Sequence, residues 1–124
     1  MTTPLSEAGP AGMLAGLAAV GYTVRQRDGF AVFDYTIEVG PRTGETVRIG
    51  LALVQDWPLS PPPGPHVSPC FGHPHGAVHP SPLEREGEGW EYWSRPAADW
   101  PADRTVRGYL RHLRTLFSQL EPPA

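Results

Sequence analysis

Phe30-Ala31-Val32-Phe33-Asp34-Tyr35-Thr36-Ile37-Glu38-Val39 decides the fold class, because its side chains alternate without interruption. Ala31, Phe33, Tyr35, Ile37 and Val39 point one way, and Val32, Asp34, Thr36 and Glu38 point the other, as in a strand with one buried face. Upstream, Tyr22 to Gln26 alternates too, and Arg27-Asp28-Gly29 supplies a turn in which glycine takes a positive φ. Downstream, Gly40-Pro41-Arg42-Thr43-Gly44 makes a second turn. Thr46 to Val54 follows, with Val47, Ile49, Leu51 and Leu53 on one face and Arg48 opposite. These features predict an antiparallel meander of three strands with one buried face.

Working outward, Pro10 to Val20 places Met13, Leu14, Leu17, Ala18 and Val20 near helical spacing, with Gly21 at the C′ position. At the other end, Asp103 or Thr105 can cap a helix running to about Leu120. Its apolar face carries Val106, Tyr109, Leu110, Leu113, Phe117 and Leu120, and Arg107, Arg111 and Arg114 fall largely off that face. Between meander and helix, Asp56 to Pro82 holds most of the prolines and four of the five histidines. Proline cannot donate to a sheet ladder, so this segment is expected to be irregular, with at most a short strand near His66–Ser68. Its Trp, Phe and Pro content favours a loop packed on the domain. Glu84 to Gly89 is polar and expected to be mobile. Trp90, Tyr92, Trp93 and Trp100 form an aromatic cluster expected in the core, with Trp57 packed under the Pro-rich loop. The whole is an α+β domain: N-terminal helix, antiparallel meander sheet, long Pro-rich loop and C-terminal helix, with both helices on one face of the sheet. Residues 1–9 are expected to be a flexible leader, 10–121 the domain and 122–124 a tail.

Composition bounds the function. The chain has 124 residues, enough for one domain and its core. A net charge of −3 without a basic block makes nucleic acid and anionic membrane poor partners. Cys70 is the single cysteine, so no intramolecular disulfide can form and a reducing cytoplasm fits. The start MTTPLSEAGP lacks a charged leader, and the apolar run Met13 to Val20 is too short to span a bilayer.

Three motifs in order narrow the fold further. Trp57-Pro58-Leu59-Ser60-Pro61-Pro62 resembles the Tyr-Pro-x-x-Pro-Pro loop after the third strand of ubiquitin-conjugating (E2) enzymes, with Trp replacing Tyr. His73-Pro74-His75 resembles their His-Pro-Asn motif at nearly the usual separation, and Trp93-Ser94 their Trp-Ser pair. Thr105 to Phe117 is similar to the helix that follows the active site, so the resemblance spans roughly residues 10–120. Trp90, Trp93, Ser94 and Arg95 look like the divergent bacterial E2-like families, often encoded beside E1-like, ubiquitin-like or JAB-peptidase partners. Eukaryotic E2 enzymes usually continue with two further helices, and the shorter bacterial versions fit this chain better.

The resemblance implies a ubiquitin-conjugating (UBC-like) fold and also exposes two chemical departures. Active members carry their nucleophilic cysteine about eight residues after the Asn, which points to the neighbourhood of Leu83, where Ser81, Pro82, Leu83 and Glu84 stand instead. The Asn itself, an oxyanion stabiliser in the family, is His75 here, whose ring N–H could donate a comparable hydrogen bond. Cys70 is then either a relocated nucleophile, with His73 or His75 lowering its pKa or acting as base, or a cysteine packed beside Phe71. The spacing favours packing. Ser81 stands near the expected nucleophile position, with His79 two residues away, but between two prolines it fits loop chemistry better. All ten basic residues are arginine, a pattern explained by GC-rich codon bias or by avoidance of amines near acyl thioesters; the Ala, Gly and Pro excess favours codon bias.

The leading expectation is an E2-like protein of a bacterial ubiquitin-like conjugation or signalling system, in a non-catalytic or atypical form. Its partners would be a ubiquitin-like protein and an E1-like enzyme, met through Trp57, Pro61 and Pro62, with no cofactor. One alternative is a small metal-binding domain using Cys70, His73, His75 and His79. Another is an interaction module that shares only the fold.

Overall fold

The computed structural model describes residues 8–123, so most of the expected leader and the last residue of the tail lie outside the described residues. Helix α1 spans Gly9–Ala19 and α2 spans Val106–Ser118. Six strands lie between them: β1 (Arg25–Arg27), β2 (Phe30–Thr36), β3 (Thr46–Ala52), β4 (His66–Ser68), β5 (Val78–Pro80) and β6 (Glu91–Trp93). They form one antiparallel sheet in the order β1-β2-β3-β4-β6-β5.

The meander forms for the reasons its alternation implies. Asp28 and Gly29 both take positive φ, 52° and 84°, and join β1 to β2 as a two-residue hairpin that pairs Arg27 with Phe30. β2 and β3 then pair along their full length, from Phe30 with Ala52 to Thr36 with Thr46. Ala31, Phe33, Tyr35, Val47, Ile49 and Leu51 are buried with Met13 and Leu17 of α1 and Tyr109, Leu113 and Phe117 of α2. Both helices therefore cover the same face. α1 closes with paired bonds from Gly21 N–H to Ala18 O and Tyr22 N–H to Leu17 O. α2 opens on Thr105, whose hydroxyl accepts from Gly108 N–H at 3.1 Å.

Two expectations need correction. The sheet has six strands, not three with one short addition, because β5 and β6 add an edge beyond β4. Each is three residues long, too short for alternation to register. The prolines do not stop this extension. Trp93 N–H bonds Pro65 O at 2.9 Å and Arg95 N–H bonds Pro63 O at 3.2 Å, so prolines line β6 as acceptors, the role that a missing N–H still permits. The helix also stops at Ser118 rather than Leu120.

The second correction concerns the other face of the sheet, since the meander is expected to bury one face only. At one corner Val32, Leu83 and Trp90 form a separate buried cluster with Phe30 packed against it. Trp90 thus leaves the main core, where Trp57, Trp93 and Trp100 remain. Glu84 to Gly89, expected to be mobile, is joined to the domain by hydrogen bonds and ion pairs. Its own carboxylates make them: Glu84 accepts from Gly89 N–H at 3.1 Å and Trp90 N–H at 2.8 Å. Glu88 pairs with Arg27 at 3.0 Å and Arg48 at 3.3 Å.

Leu83 fits this face because Gly50, opposite it on β3, has no side chain; a methyl group there would overlap Leu83 Cδ1. Gly50→Ala should therefore cost about 1–3 kcal/mol by overpacking, and Leu83→Ala about 2–5 kcal/mol by leaving a cavity. In the double variant the cost of Gly50→Ala should largely vanish, since alanine at 83 vacates the space. Urea unfolding of the four proteins measures that coupling, and additive costs would mean that the two sites do not share space.

Candidate functional site

The segment carrying Cys70, His73 and His75 connects β4 to β5, both of which hydrogen-bond to β6. It is fixed by a residue outside the motifs. Glu91, the first residue of β6, is buried, and its Oε2 accepts from Phe71 N–H at 2.9 Å, Gly72 N–H at 2.8 Å and the Trp93 indole N–H at 2.7 Å. Charge-assisted bonds of this kind are stronger than neutral ones.

Cys70 is exposed, beside this carboxylate. Partial desolvation, then the charge and hydrogen bond of Glu91 and the charge of Glu84, raise the thiol pKa above its ordinary value. Such surroundings disfavour the thiolate, the opposite of an activated nucleophile. Among the described residues no hydrogen bond joins Cys70 to His73 or His75.

His73 is buried with both ring nitrogens committed. Nε2 donates to Leu116 O at 2.9 Å, and Nδ1 accepts from His75 N–H at 3.1 Å. Nδ1 also lies 3.1 Å from His75 O, and burial first of all lowers the pKa and favours the neutral ring, which donates at Nε2 and accepts at Nδ1. Its ring meets Trp93 edge-on, with centroids 4.8 Å apart. His73 thus ties the loop to one of the last carbonyls of α2. His75 and His79 are exposed. Among the described residues no group of three or more His, Cys, Asp or Glu side chains is arranged to hold a metal ion, so the four candidate ligands do not converge.

Ser81 has a histidine partner, but it is His66 rather than His79. His66 Nδ1 lies 2.7 Å from Ser81 Oγ, which also accepts from Leu83 N–H at 3.1 Å. With Leu83 N–H on one lone pair, Oγ either gives its proton to Nδ1 or takes one from it, as the His66 tautomer decides. Both residues are buried, and His66 stacks on Tyr92 with centroids 4.6 Å apart and meets Phe30 edge-on. Burial lowers the His66 pKa to about 4. Fifteen residues separate this pair, and only strand pairing brings them together, so sequence spacing held no signal for it.

In the loop proposed for partner contact, Trp57 and Pro62 are buried and Pro61 is half-buried. Trp57 packs on Trp100, with centroids 5.1 Å apart, and the Trp100 indole N–H reaches Pro58 O at 3.1 Å. Leu59 is the exposed apolar side chain there, at 64 %. Leu83, at the position counted for the nucleophile, is fully buried. Arg95 lies beneath Gly76 and gives Nη1 to Ala77 O at 2.6 Å and Ser94 O at 3.0 Å; its Nε and Nη2 are buried without a partner among the described residues. No family model, curated protein or solved structure matches the chain.

Two measurements follow from these environments. The His66 pKa is about 4 in the folded chain and near 6.5 when unfolded, so folding favours the neutral ring. Its contribution, on the order of 3 kcal/mol, is complete above about pH 6.5 and is lost as the pH falls through 6.5 towards 4. Burial shifts His73 and His112 in the same direction. Urea unfolding from pH 7.5 to 4 should show this loss, and His66→Gln should make it smaller; an unchanged slope would remove His66 as its source. The Cys70 thiol should react with iodoacetamide at pH 7.5 more slowly than free cysteine, and Glu91→Gln should speed it. No acceleration would mean that Glu91 does not govern the thiol.

Proposed function

We propose that this chain is an E2-like protein of a ubiquitin-like conjugation or signalling system that binds its partners without forming a thioester itself. The order of helix, antiparallel strands, Pro-rich loop and helix supports the UBC-like reading, as do Trp57-Pro58-Leu59-Ser60-Pro61-Pro62, His73-Pro74-His75 and Trp93-Ser94 in sequence. One observation carries the non-catalytic part. Where the resemblance places the nucleophile, Leu83 is fully buried over Gly50. The nearby thiol, Cys70, has a raised pKa and a carboxylate for its neighbour. Leu83 offers no nucleophile, and the carboxylate beside Cys70 disfavours its thiolate.

The partners in this reading are a ubiquitin-like protein and an E1-like activating enzyme. Contact through the Pro-rich loop would fall to Leu59, with Trp57 and Pro62 holding the loop from below.

The decisive experiment incubates the chain with its cognate E1-like enzyme, ubiquitin-like protein and ATP. No adduct sensitive to reducing agent should form, while one of the two proteins binds and Leu59→Glu weakens that binding about tenfold. A thioester adduct that disappears in Cys70→Ser would overturn the non-catalytic reading. Failure to bind either protein would leave an interaction module with no conjugation role.

A further inference from the structure

The solvent side of α1 differs from an ordinary surface helix. Gly9 to Val20 contains no charged, hydroxyl or amide side chain, and its exposed positions Ala11, Ala15, Ala18 and Ala19 are all alanine. A surface helix normally turns a polar face to water, and one that is apolar all round is normally covered. Gly16 lies against Val106 at the start of α2, so the two helices approach closely there. The alanines leave a shallow groove beside that approach, which Ala15 and Ala19 line with Arg104 and Arg107.

The other wall is charged. Arg107, Arg111 and Arg114 are spaced by four and three residues, which places them along one side of α2, and Arg104 stands just before its N-cap, Thr105. Four of the ten arginines of a chain with net charge −3 are thus gathered within eleven residues, with no carboxylate among those eleven. All four are exposed. Arg111 pairs with Asp103, and Arg114 lies 3.9 Å from Glu38. The remaining ion pairs of the described residues involve neither Arg104 nor Arg107. Arg107 lines both the groove beside α1 and the adjoining hollow that continues to Arg111 and Arg114, so floor and wall are continuous.

We propose that this groove between α1 and α2 docks an acidic amphipathic helix from a partner protein, its apolar side on the alanines and its carboxylates on the arginine ridge. From Arg107 to Arg114 the ridge rises about 10 Å along α2, which matches two turns of a partner helix. Arginine suits the task, because its planar fork takes a carboxylate bidentately and loses little hydration. Nucleic acid fits less well: Trp57, the aromatic ring that lines the groove, is buried rather than open to a base, and the rest of the chain is acidic on balance. The proposal does not rest on the E2-like reading, and its test uses neither a ubiquitin-like protein nor an E1-like enzyme.

The test is fluorescence anisotropy with a labelled 14-residue helical peptide, leucine and alanine on one face and glutamate on the flanks. A counterpart with lysine for glutamate and a 12-nucleotide single-stranded RNA complete the set of probes. The glutamate peptide should bind at least about tenfold more tightly than either and should weaken steeply towards 0.5 M salt. Arg104→Glu with Arg107→Glu should reduce its binding about tenfold or more, with the circular dichroism spectrum unchanged. Ala15→Lys should reduce it through the floor. Arg85→Glu, on the opposite side of the sheet, should not. Equal binding of the two peptides, tighter binding of the RNA, or indifference to the double charge reversal would each overturn the proposal. So would concentration-dependent dimerisation that the double variant abolishes, which would give the groove to a second copy of the chain.

Discussion

Three N–H groups converge on one buried carboxylate, and much of the architecture around the candidate site depends on that convergence. Glu91 takes Phe71, Gly72 and the Trp93 indole on a single oxygen, binding the loop after β4 to the strand beside it. The same loop reaches α2 through the Nε2 bond of His73 to Leu116 O. A charged acceptor on the sheet and a neutral imidazole on the helix thus hold opposite sides of one loop. Without the carboxylate, two loop N–H groups and a buried indole donor would have no partner in the protein, an expensive arrangement in a desolvated place. The same carboxylate discourages ionisation of the adjacent thiol. One residue secures the loop and quiets the only cysteine in it.

How much of this was legible in the sequence depended on the length of the pattern. β2 and β3 are seven residues each, long enough for alternation to identify their buried faces. The hairpin at Asp28-Gly29 and the end of α1 at Gly21 were legible because each needs a backbone conformation that few residues supply. α2 was legible from its apolar periodicity. β5 and β6 were not, because three residues cannot establish a period and proline argued against pairing. The bonds of Pro63 and Pro65 show where that argument falls short: a proline loses its donor but keeps its acceptor.

The site was harder to read than the fold. His66 with Ser81, and Glu91 with Phe71 and Gly72, are contacts across strand register, so no local spacing announces them. The histidines of the Pro-rich segment suggested a metal set by proximity in sequence, yet His73 is committed to a helix carbonyl while His75 and His79 face water. The arginine ridge was legible in part, because Arg107, Arg111 and Arg114 fall off the apolar face of α2. Arg104 stands before the N-cap Thr105, so the helical repeat does not join it to the other three.

The two faces of the sheet carry unequal cores, and this has a consequence for how the domain breathes. On the helix side the described residues include nineteen members of one buried cluster; on the other side Val32, Leu83 and Trp90 form a cluster of three. Regions with few buried apolar contacts open at lower free energy than the rest of a domain. Ser81 to Trp90 is therefore the unit whose amides should exchange with solvent first. Its opening would wet the hydroxyl of Ser81 and the ring of His66 while leaving both helices in place. The side of the sheet held by the fewest contacts is the one that hides the serine–histidine pair.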